Sequence, residues 1–511
     1  MDENKELLMK KMVSDTGQFW LTVDNANNLS IFTGLIELSA PIDVRTLRKL
    51  VQSRLFHLSP FREKIIADVS DKEKCYWIED QNLDVRTHVE VVRLKNENDP
   101  AELQKLMSDI ISVPMDMRKP LWQFILVKKY QNGCAIIARM HQCLMDRVDL
   151  IQVLWSLSDI SAADKNHKKT SDEFEPEKWQ RLTNTLQNIH AKMNVSFSAV
   201  RAMLKSCLKP MTNPFYLIEK LRLLMGTSSD RIGEIARIIL MNPDSDSVLK
   251  SELGQTKQFV WSQNFSLNKI TSLSRATNAS SNVIFISTLA GAIKEYLKFR
   301  KDPIDYREIR AVTPVDMRVS QGGYSGTARF GLIPFDLPVH IDDPVLRISE
   351  VKRRLQNLDN LPDAVSVFSS MSRVGISAKT FVEKIAIPFS KKNTLLMTNT
   401  QGPPKTLYIN NIPASNIMFW FPRIGHIGLG TTILSYNQNV RLGVVCDSKQ
   451  MPDPNQFIDA FERQLTQLLE YTPQQDILQS LSAEANESEL TQVSEIPIAI
   501  DNVSGEMNSL G

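Results

Sequence analysis

A histidine at the end of an apolar run is the first residue of this sequence that could carry out chemistry. The segment IIARMHQCLMDRVDL, residues 136–150, ends its apolar part at His141 and continues with Gln142, Asp146 and Arg147. An imidazole can take up or release a proton near neutral pH, whereas the carboxamide of Gln142 has no titratable proton there. His141 is therefore a candidate general base, and a packed, hydrogen-bonded core histidine is the alternative interpretation.

The pattern before this histidine predicts a β-hairpin. Residues 120–141 consist of two apolar runs joined at Asn132 and Gly133, a dipeptide that favours tight turns. His141 then ends the second strand. Because neighbouring strand residues face opposite ways, His141 and Gln142 are not expected to reach the same point unless a turn intervenes.

The following residues predict a helix over 149–160, and Asp146 could act as its N-cap. Elsewhere the apolar patterns alternate between strand and helix in two stretches of the chain. The first stretch has a strand and two helices, with Asp43 and Pro100 at the helix starts, at 29–38, 43–58 and 100–113. The second has strands, helices and a hairpin, at 258–267, 280–299, 308–318, 343–358, 394–403, 431–447 and 457–471.

Repeated strands and helices in two halves favour an α/β fold of two similar sandwiches. We predict an N-terminal domain over 1–160, a crossover linker over 161–254, a C-terminal domain over 255–472 and an acidic disordered tail over 473–511. Within the linker, residues 199–226 contain apolar stripes flanked by lysines. This pattern is typical of helices that lie on anionic lipid surfaces and also of ordinary helices packed on a core.

The composition limits the classes of function. The chain of 511 residues is 42% hydrophobic and 23% charged, as in a globular protein, and its net charge of +2 argues against a nucleic-acid partner. Its five cysteines are scattered and lack metal-ligand spacing, so neither a disulfide framework nor a metal site is expected. The first residues show no signal sequence, and no run is apolar for long enough to span a membrane. A cytoplasmic protein is expected, with peripheral contact at a membrane or lipid droplet.

Several short motifs, in order along residues 13–471, together resemble one family. The motif Pro120-Leu121-Trp122, the segment TNTQGP with Asn399, and the closing hairpin at 431–447 are similar to those of bacterial-type wax ester synthases/acyl-CoA:diacylglycerol acyltransferases. Residues 14–38 look like that family's opening strand region and 54–65 like its arginine-containing segment. The resemblance implies two chloramphenicol acetyltransferase-like sandwich domains that face each other across a substrate tunnel. It also implies no cofactor, with acyl-CoA and a fatty alcohol or diacylglycerol as substrates.

The resemblance further implies roles for the first motif. In the family, the second histidine of HHxxxDG is the general base; here that position is Gln142, and His141 occupies the first position. Asp146 would keep the loop in shape, and Arg318 in PVDMR is its candidate partner. Arg147 stands where the family has glycine, so it would either strain the turn or bring a guanidinium near the tunnel.

A second departure lies before the long helix of the C-terminal half, where Asn282-Val283 replaces an Asn-Asp pair. Two interpretations follow. The chain is an acyl-CoA-dependent O-acyltransferase of the wax ester or triacylglycerol type, slow or retargeted, in which His141 or the substrate handles the proton. Alternatively, it is a catalytically inactive relative that binds acyl chains, acyl-CoA or an active partner. A redirected acyltransferase for another metabolite is a third hypothesis.

Overall fold

The computed structural model describes residues 10–68, 71, 74–145, 147–148, 150–159, 241–305, 307–316, 330–358 and 377–470. The predictions on Asp146, Arg318, residues 199–226 and the tail 473–511 lie outside these residues.

The first half contains seven strands and five α-helices among the described residues. The strands are β1 Lys11–Met12, β2 Ile31–Leu38, β3 Glu63–Ala67, β4 Cys75–Glu79, β5 Val89–Val92, β6 Trp122–Tyr130 and β7 Gly133–His141. The helices are Asp15–Val23, Val44–Leu55, Pro100–Ile111, Gln142–Met145 and Leu150–Leu157.

The described residues resume at 241 and form the second half, which continues the same alternation. Its strands are β8 Lys257–Trp261, β9 Phe265–Ser266, β10 Ile309–Asp316, β11 Phe330–Leu337, β12 Leu395–Gln401, β13 Tyr408–Ile409, β14 Ile412–Trp420, β15 Leu429–Tyr436 and β16 Asn439–Asp447. Its helices are Leu267–Ala276, Ser281–Phe299, Pro344–Leu358, the short Ala378–Phe381 and Ile387–Ser390, and 454–470.

Aspartates that cap helices fix several of these boundaries. Asp43 accepts a hydrogen bond from the Arg45 N–H (2.9 Å), and Asp99 accepts one from the Ala101 N–H (2.9 Å). Asp343 accepts from two backbone N–H groups in the first turn of its helix, both at 2.8 Å. Because a cap satisfies N–H groups that the helix leaves free, these residues confirm the helix starts predicted near 43, 100 and 343.

The opening region contains the strand predicted over 29–38 and a helix before it. The strand is confirmed as Ile31–Leu38, and the helix, which was not predicted, is Asp15–Val23. Ser14 caps this helix by accepting from the Gly17 N–H (3.1 Å). Five residues of the helix are buried, so packing of one face and a polar cap determine its conformation.

The predicted hairpin is confirmed, but its turn lies one residue earlier. Tyr130 pairs with Gly133, so the two loop residues are Gln131 and Asn132, and Gln131 has a left-handed φ of 51°. Gly133 is required for another reason: a Cβ there would lie 1.9 Å from the carbonyl oxygen of Leu38. Close approach of two backbones, rather than turn geometry, demands glycine at this position.

Two large sheets define the two halves. A seven-stranded sheet contains β11, β10, β12, β15, β16 and β8 in that order, with β9 paired to β16. A six-stranded sheet has the order β13-β14-β2-β7-β6-β5, and a small third sheet has the order β1-β4-β3. The predicted two-domain α/β fold is confirmed, while the exact domain limits remain a prediction.

Two strands from the second half, β13 and β14, join the sheet of the first half. β14 belongs to the second half by sequence but pairs antiparallel with β2 of the first half, with Ile417 opposite Ile36 and Trp420 opposite Thr33. Trp420 also packs edge to face against Phe259, with ring centroids 4.7 Å apart. The apolar core of the first half therefore includes side chains from the second half. No helix within the described ranges is long and apolar enough to cross a bilayer.

Candidate functional site

The backbone of His141 is held by strands on both sides. His141 is the last residue of β7, the strand between β2 and β6. Its N–H donates to the carbonyl oxygen of Leu121 (3.0 Å), and the N–H of Gln142 donates to the carbonyl oxygen of Ser30 (2.8 Å). Leu121 belongs to the predicted PLW motif, so that motif positions the histidine through its main chain.

The imidazole of His141 is buried, with 1% of its surface exposed. Nδ1 accepts the backbone N–H of Cys143 at 3.2 Å and lies 2.9 Å from its Sγ. An acceptor at Nδ1 places the proton of the neutral ring on Nε2. Nε2 faces the carboxylate of Asp24, 3.6 Å away, and has no hydrogen-bond partner within the described residues. Cys143, His141 and Asp24 thus form a row of thiol, imidazole and carboxylate.

Asp24 is fixed by a loop that contacts both halves. Its Oδ1 accepts the N–H of Ser30 (2.6 Å). In the same loop, the side-chain amide of Asn28 donates to the carbonyl oxygens of Gly425 and Ile427, each at 3.1 Å. The position of the carboxylate beside His141 therefore depends on the docking of the second half.

Gln142 starts the short helix that follows β7 and is half-buried. Its Oε1 is buried, with no hydrogen-bond partner in the part of the chain described. The carboxamide can donate or accept hydrogen bonds but cannot remove a proton from a hydroxyl group. Of Gln142 and His141, only His141 carries a group with base chemistry.

The guanidinium of Arg147 is turned toward the small sheet. It pairs with the carboxylate of Glu63 on β3, donates to Ser59 Oγ (2.8 Å) and lies 5.0 Å from the ring centroid of Trp77 on β4. Its φ is not in the left-handed region, so arginine causes no backbone strain here. Of the two alternatives for Arg147, strain of the turn is absent, and these contacts account for the direction of the side chain.

The PLW motif forms a buried support beside the site. Pro120, Leu121 and Trp122 are buried, and Trp122 donates its indole N–H to the carbonyl oxygen of Phe61 (2.9 Å). The ring of His88 stacks on Trp122 with centroids 4.3 Å apart, and its Nδ1 bonds to the Trp122 carbonyl oxygen (2.8 Å). Burial lowers the pKa of His88, so it is a neutral donor in this contact.

The structure also brings together two asparagines that the motifs suggested. Asn399 on β12 donates its side-chain amide to Oδ1 of Asn282 at 2.9 Å. Asn282 lies in the first turn of the helix Ser281–Phe299, which Ser280 caps. Val283, in the position of the missing acid, is 5% exposed. This pair connects the second sheet to its longest helix.

A narrow crevice, too small for a substrate chain, lies between the halves and close to this site. It is lined by Ala26, Leu29, Ile31, Ile111, Gln255, Lys257, Phe259, Trp420, Phe421, Pro422, Arg423 and Val445. Ile31 pairs with His141 across β2 and β7, so the crevice begins one strand away from the imidazole. Sequence reasoning did not identify Asp24, Cys143 or Arg423; the signal for Arg423 was a lone charge in the apolar segment 417–430.

No group of three or more metal-ligating side chains occurs among the residues that the structure describes.

The two-half α/β architecture is shared with peptide-synthetase condensation domains. The first condensation domain of the calcium-dependent antibiotic synthetase superposes with a TM-score of 0.53 at 11% identity, covering 91% of this chain and 96% of that one.

Among proteins with this fold, the chain belongs to the wax ester synthase/diacylglycerol acyltransferase family. The model of the family's catalytic domain matches residues 22–282, half of the chain, and the model of the WS/DGAT C-terminal domain matches residues 327–469.

Similar proteins agree with this assignment. The wax ester synthase/diacylglycerol acyltransferase from Marinobacter aquaeolei superposes with a TM-score of 0.63 at 16% identity, covering 91% of this chain and all of that one. The O-acyltransferase WSD of Acinetobacter baylyi is 19% identical, covering 81% of this chain and 86% of that protein. A probable diacylglycerol O-acyltransferase of Mycobacterium tuberculosis is 21% identical, covering 77% and 83%.

Proposed function

We propose that this protein is an acyl-CoA-dependent O-acyltransferase of the neutral-lipid type, slowed or retargeted by Gln142 at the base position. The observation that carries the proposal is the match of both family domains to one chain that keeps a histidine at the end of β7. In the reaction, the acceptor oxygen attacks the thioester carbonyl carbon, a C–O bond forms and the C–S bond breaks. A base takes the hydroxyl proton, and CoA leaves as the thiol after protonation.

In this proposal His141 is the base and Asp24 orients it. A carboxylate beside Nε2 stabilises the imidazolium that forms when Nδ1 takes a proton, which is the division of roles in other base–carboxylate pairs. To act in this way, Nδ1 must exchange its contact with the Cys143 N–H for one with the substrate.

That requirement favours a second candidate function. In it, the protein is catalytically inactive and binds acyl chains, acyl-CoA or an active partner. Both nitrogens of His141 face protein groups, and the ring is almost wholly buried. A histidine in such surroundings can have a structural role in core packing as well as a role in proton transfer.

The test is acyl transfer by the purified protein with palmitoyl-CoA and either hexadecanol or dioleoylglycerol, measured as CoA release and ester formed. We expect a slow rate in the wild type and a rise in Gln142→His, up to about 10²–10⁴-fold, because a positioned base supplies rates of that order. Gln142→Asn, which adds no base, is the matched control and should not accelerate the reaction.

His141→Ala separates the two candidates, with thermal unfolding recorded to show that the variant is folded. A steep loss of the wild-type rate would make His141 the base. A wild type without ester formation, and a Gln142→His variant equally inactive, would contradict the enzymatic proposal and favour the binding function.

We further propose weak, salt-sensitive association with anionic membrane or lipid-droplet surfaces through residues 199–226. Lys205→Glu plus Lys209→Glu should reduce flotation with anionic vesicles at low salt, because each lysine near such a surface contributes about 1 kcal/mol. Lys105→Glu plus Lys129→Glu, at two exposed lysines elsewhere, is the matched control. Equal flotation of both double variants and the wild type would contradict this site of contact.

A further inference from the structure

The contact between Asp24 and His141 is too long to hold the carboxylate in place. Oδ2 of Asp24 lies 3.6 Å from Nε2 of His141, beyond the range of a hydrogen bond, and the side chain of Asp24 is 23% exposed. An ionic attraction between the two groups arises only when the imidazole is protonated. In the resting protein, the position of Asp24 therefore depends on the loop that carries it.

That loop, residues 24–30, is a compact turn. The N–H of Asn28 donates to the carbonyl oxygen of Asn25 (3.0 Å) and to its side-chain oxygen (3.1 Å). Oδ1 of Asp24 closes the turn by accepting the N–H of Ser30 at 2.6 Å. Because these bonds connect both ends of the turn to Asn28, a constraint on Asn28 also constrains Asp24.

Asn28 connects the loop to the second half of the chain. It is 2% exposed, although residues 25–27 before it are exposed. Its side-chain amide donates to the carbonyl oxygens of Gly425 and Ile427, each at 3.1 Å, so both of its N–H bonds are used. Its Oδ1 has no partner within the described ranges. Asn28 therefore acts as a double donor, a role that neither a carboxylate nor an apolar side chain can take.

The two acceptor oxygens belong to a turn that is itself fixed. Gly425 has a left-handed φ of 55°, and a Cβ there would lie 2.3 Å from Oγ of Ser390. Oγ of Ser390 accepts the N–H of His426 at 3.0 Å and donates to the carbonyl oxygen of Ile387 at 2.7 Å. The turn 425–427 thus rests on a helix of the second half, so its position follows the position of that half.

We propose that Asn28 is a positioning residue that completes the Asp24–His141 pair only when the second half is docked. The inference rests on the proposed acyl transfer with His141 as the base. A carboxylate already in place stabilises the imidazolium without reorganisation during the reaction. Once Asn28 is released from the turn 425–427, Asp24 has to be drawn to the ring in each turnover. The chemical step then slows, while substrate binding is retained.

The first test compares Asn28→Ala with Asn416→Ala in the full chain, with palmitoyl-CoA and hexadecanol as substrates. Asn416 is the matched control, because it donates to the buried Glu37 (2.8 Å) near the end of β2 remote from His141. We expect Asn28→Ala to lower kcat about ten- to a hundredfold and to change KM by less than about twofold. Asn416→Ala should leave kcat near the wild-type value. Melting temperatures of both variants show whether they are folded.

A cycle with Asp24→Asn shows whether Asn28 acts through Asp24. If it does, adding Asn28→Ala to Asp24→Asn should slow the reaction no further. Asn28→Asp, which keeps the shape of the side chain but cannot donate, should behave like Asn28→Ala. Ser390→Ala loosens the turn from the other half and should lower kcat in the same direction by a smaller factor.

Hydrogen exchange tests the position of the loop without turnover. The Ser30 N–H, which Asp24 holds, should exchange at least about tenfold faster in Asn28→Ala, as expected for the loss of one or two hydrogen bonds, and at the wild-type rate in Asn416→Ala.

Unchanged exchange in Asn28→Ala would overturn the proposal, whether or not the protein is active. So would faster exchange with an unchanged kcat, or additive effects of Asn28→Ala and Asp24→Asn. A higher kcat in Asn28→Ala would also overturn it, and would make the contact a barrier to the substrate instead. A wild type without ester formation would contradict the acyl-transfer proposal, and the exchange of Ser30 would then decide whether Asn28 positions Asp24.

Discussion

Replacing Arg147 with methionine should loosen the small β1-β4-β3 sheet from the turn that carries His141. The ion pair with Glu63 is largely buried, since the two side chains are 14% and 19% exposed. Breaking a fully buried pair costs about 3–5 kcal/mol, so partial exposure lowers the expected cost to roughly 2–3 kcal/mol. The contact over Trp77 adds about 0.5–1 kcal/mol. We therefore expect Arg147→Met to destabilise the first half by about 3 kcal/mol.

A double-mutant cycle with Glu63→Gln isolates the pair. Stability is measured by hydrogen exchange of the peptides that contain β3, β4 and β7, which reports local unfolding of this region. The coupling energy between the two positions should be about 1–3 kcal/mol. The same cycle on Lys105 and Asp109, a pair with side chains 70% and 63% exposed, should give less than about 0.5 kcal/mol. Equal coupling in both cycles would refute the reasoning from burial.

Two further predictions concern the hairpin that ends at His141. Trp122→Ala should cost about 3–5 kcal/mol in chemical denaturation, because it removes a side chain 1% exposed and the hydrogen bond to Phe61; a loss below 1 kcal/mol would contradict its role as support. Gly133→Ala should cost at least about 3 kcal/mol, because its Cβ would overlap the Leu38 carbonyl oxygen. Gly254→Ala, whose Cβ would meet only the flexible Lys449 side chain, is its control and should change thermal stability little.

The elements that could be predicted from the sequence are those with local causes. Aspartate caps, prolines in first turns and apolar periodicity lie within a few residues of the element they specify, and the helices at Asp43, Asp99 and Asp343 started where these signals indicated. The strand β7, which ends at His141, could also be predicted, because the two strands of its hairpin follow one another directly in the sequence.

Features produced by long-range contact could not be predicted in this way. The partner of His141 is Asp24, more than a hundred residues earlier, and nothing near either residue encodes the 3.6 Å approach. The orientation of Arg147 depends on Glu63, and the buried ammonium of Lys257 depends on Asp447. The helix Asp15–Val23 was not predicted, because a short apolar segment fits both periods.

The pairing of β14 with β2 has a consequence during synthesis on the ribosome. Trp420 is made 279 residues after His141, so at typical elongation rates of 5–20 residues per second the pair of β2 and β7, once complete, waits about 15–60 s for β14. Throughout that interval the emerging first half has an open edge of unpaired N–H and C=O groups on a buried, apolar strand. The nascent chain is therefore a natural client for chaperones, and a fragment that stops before residue 412 should aggregate although it contains the whole His141 segment.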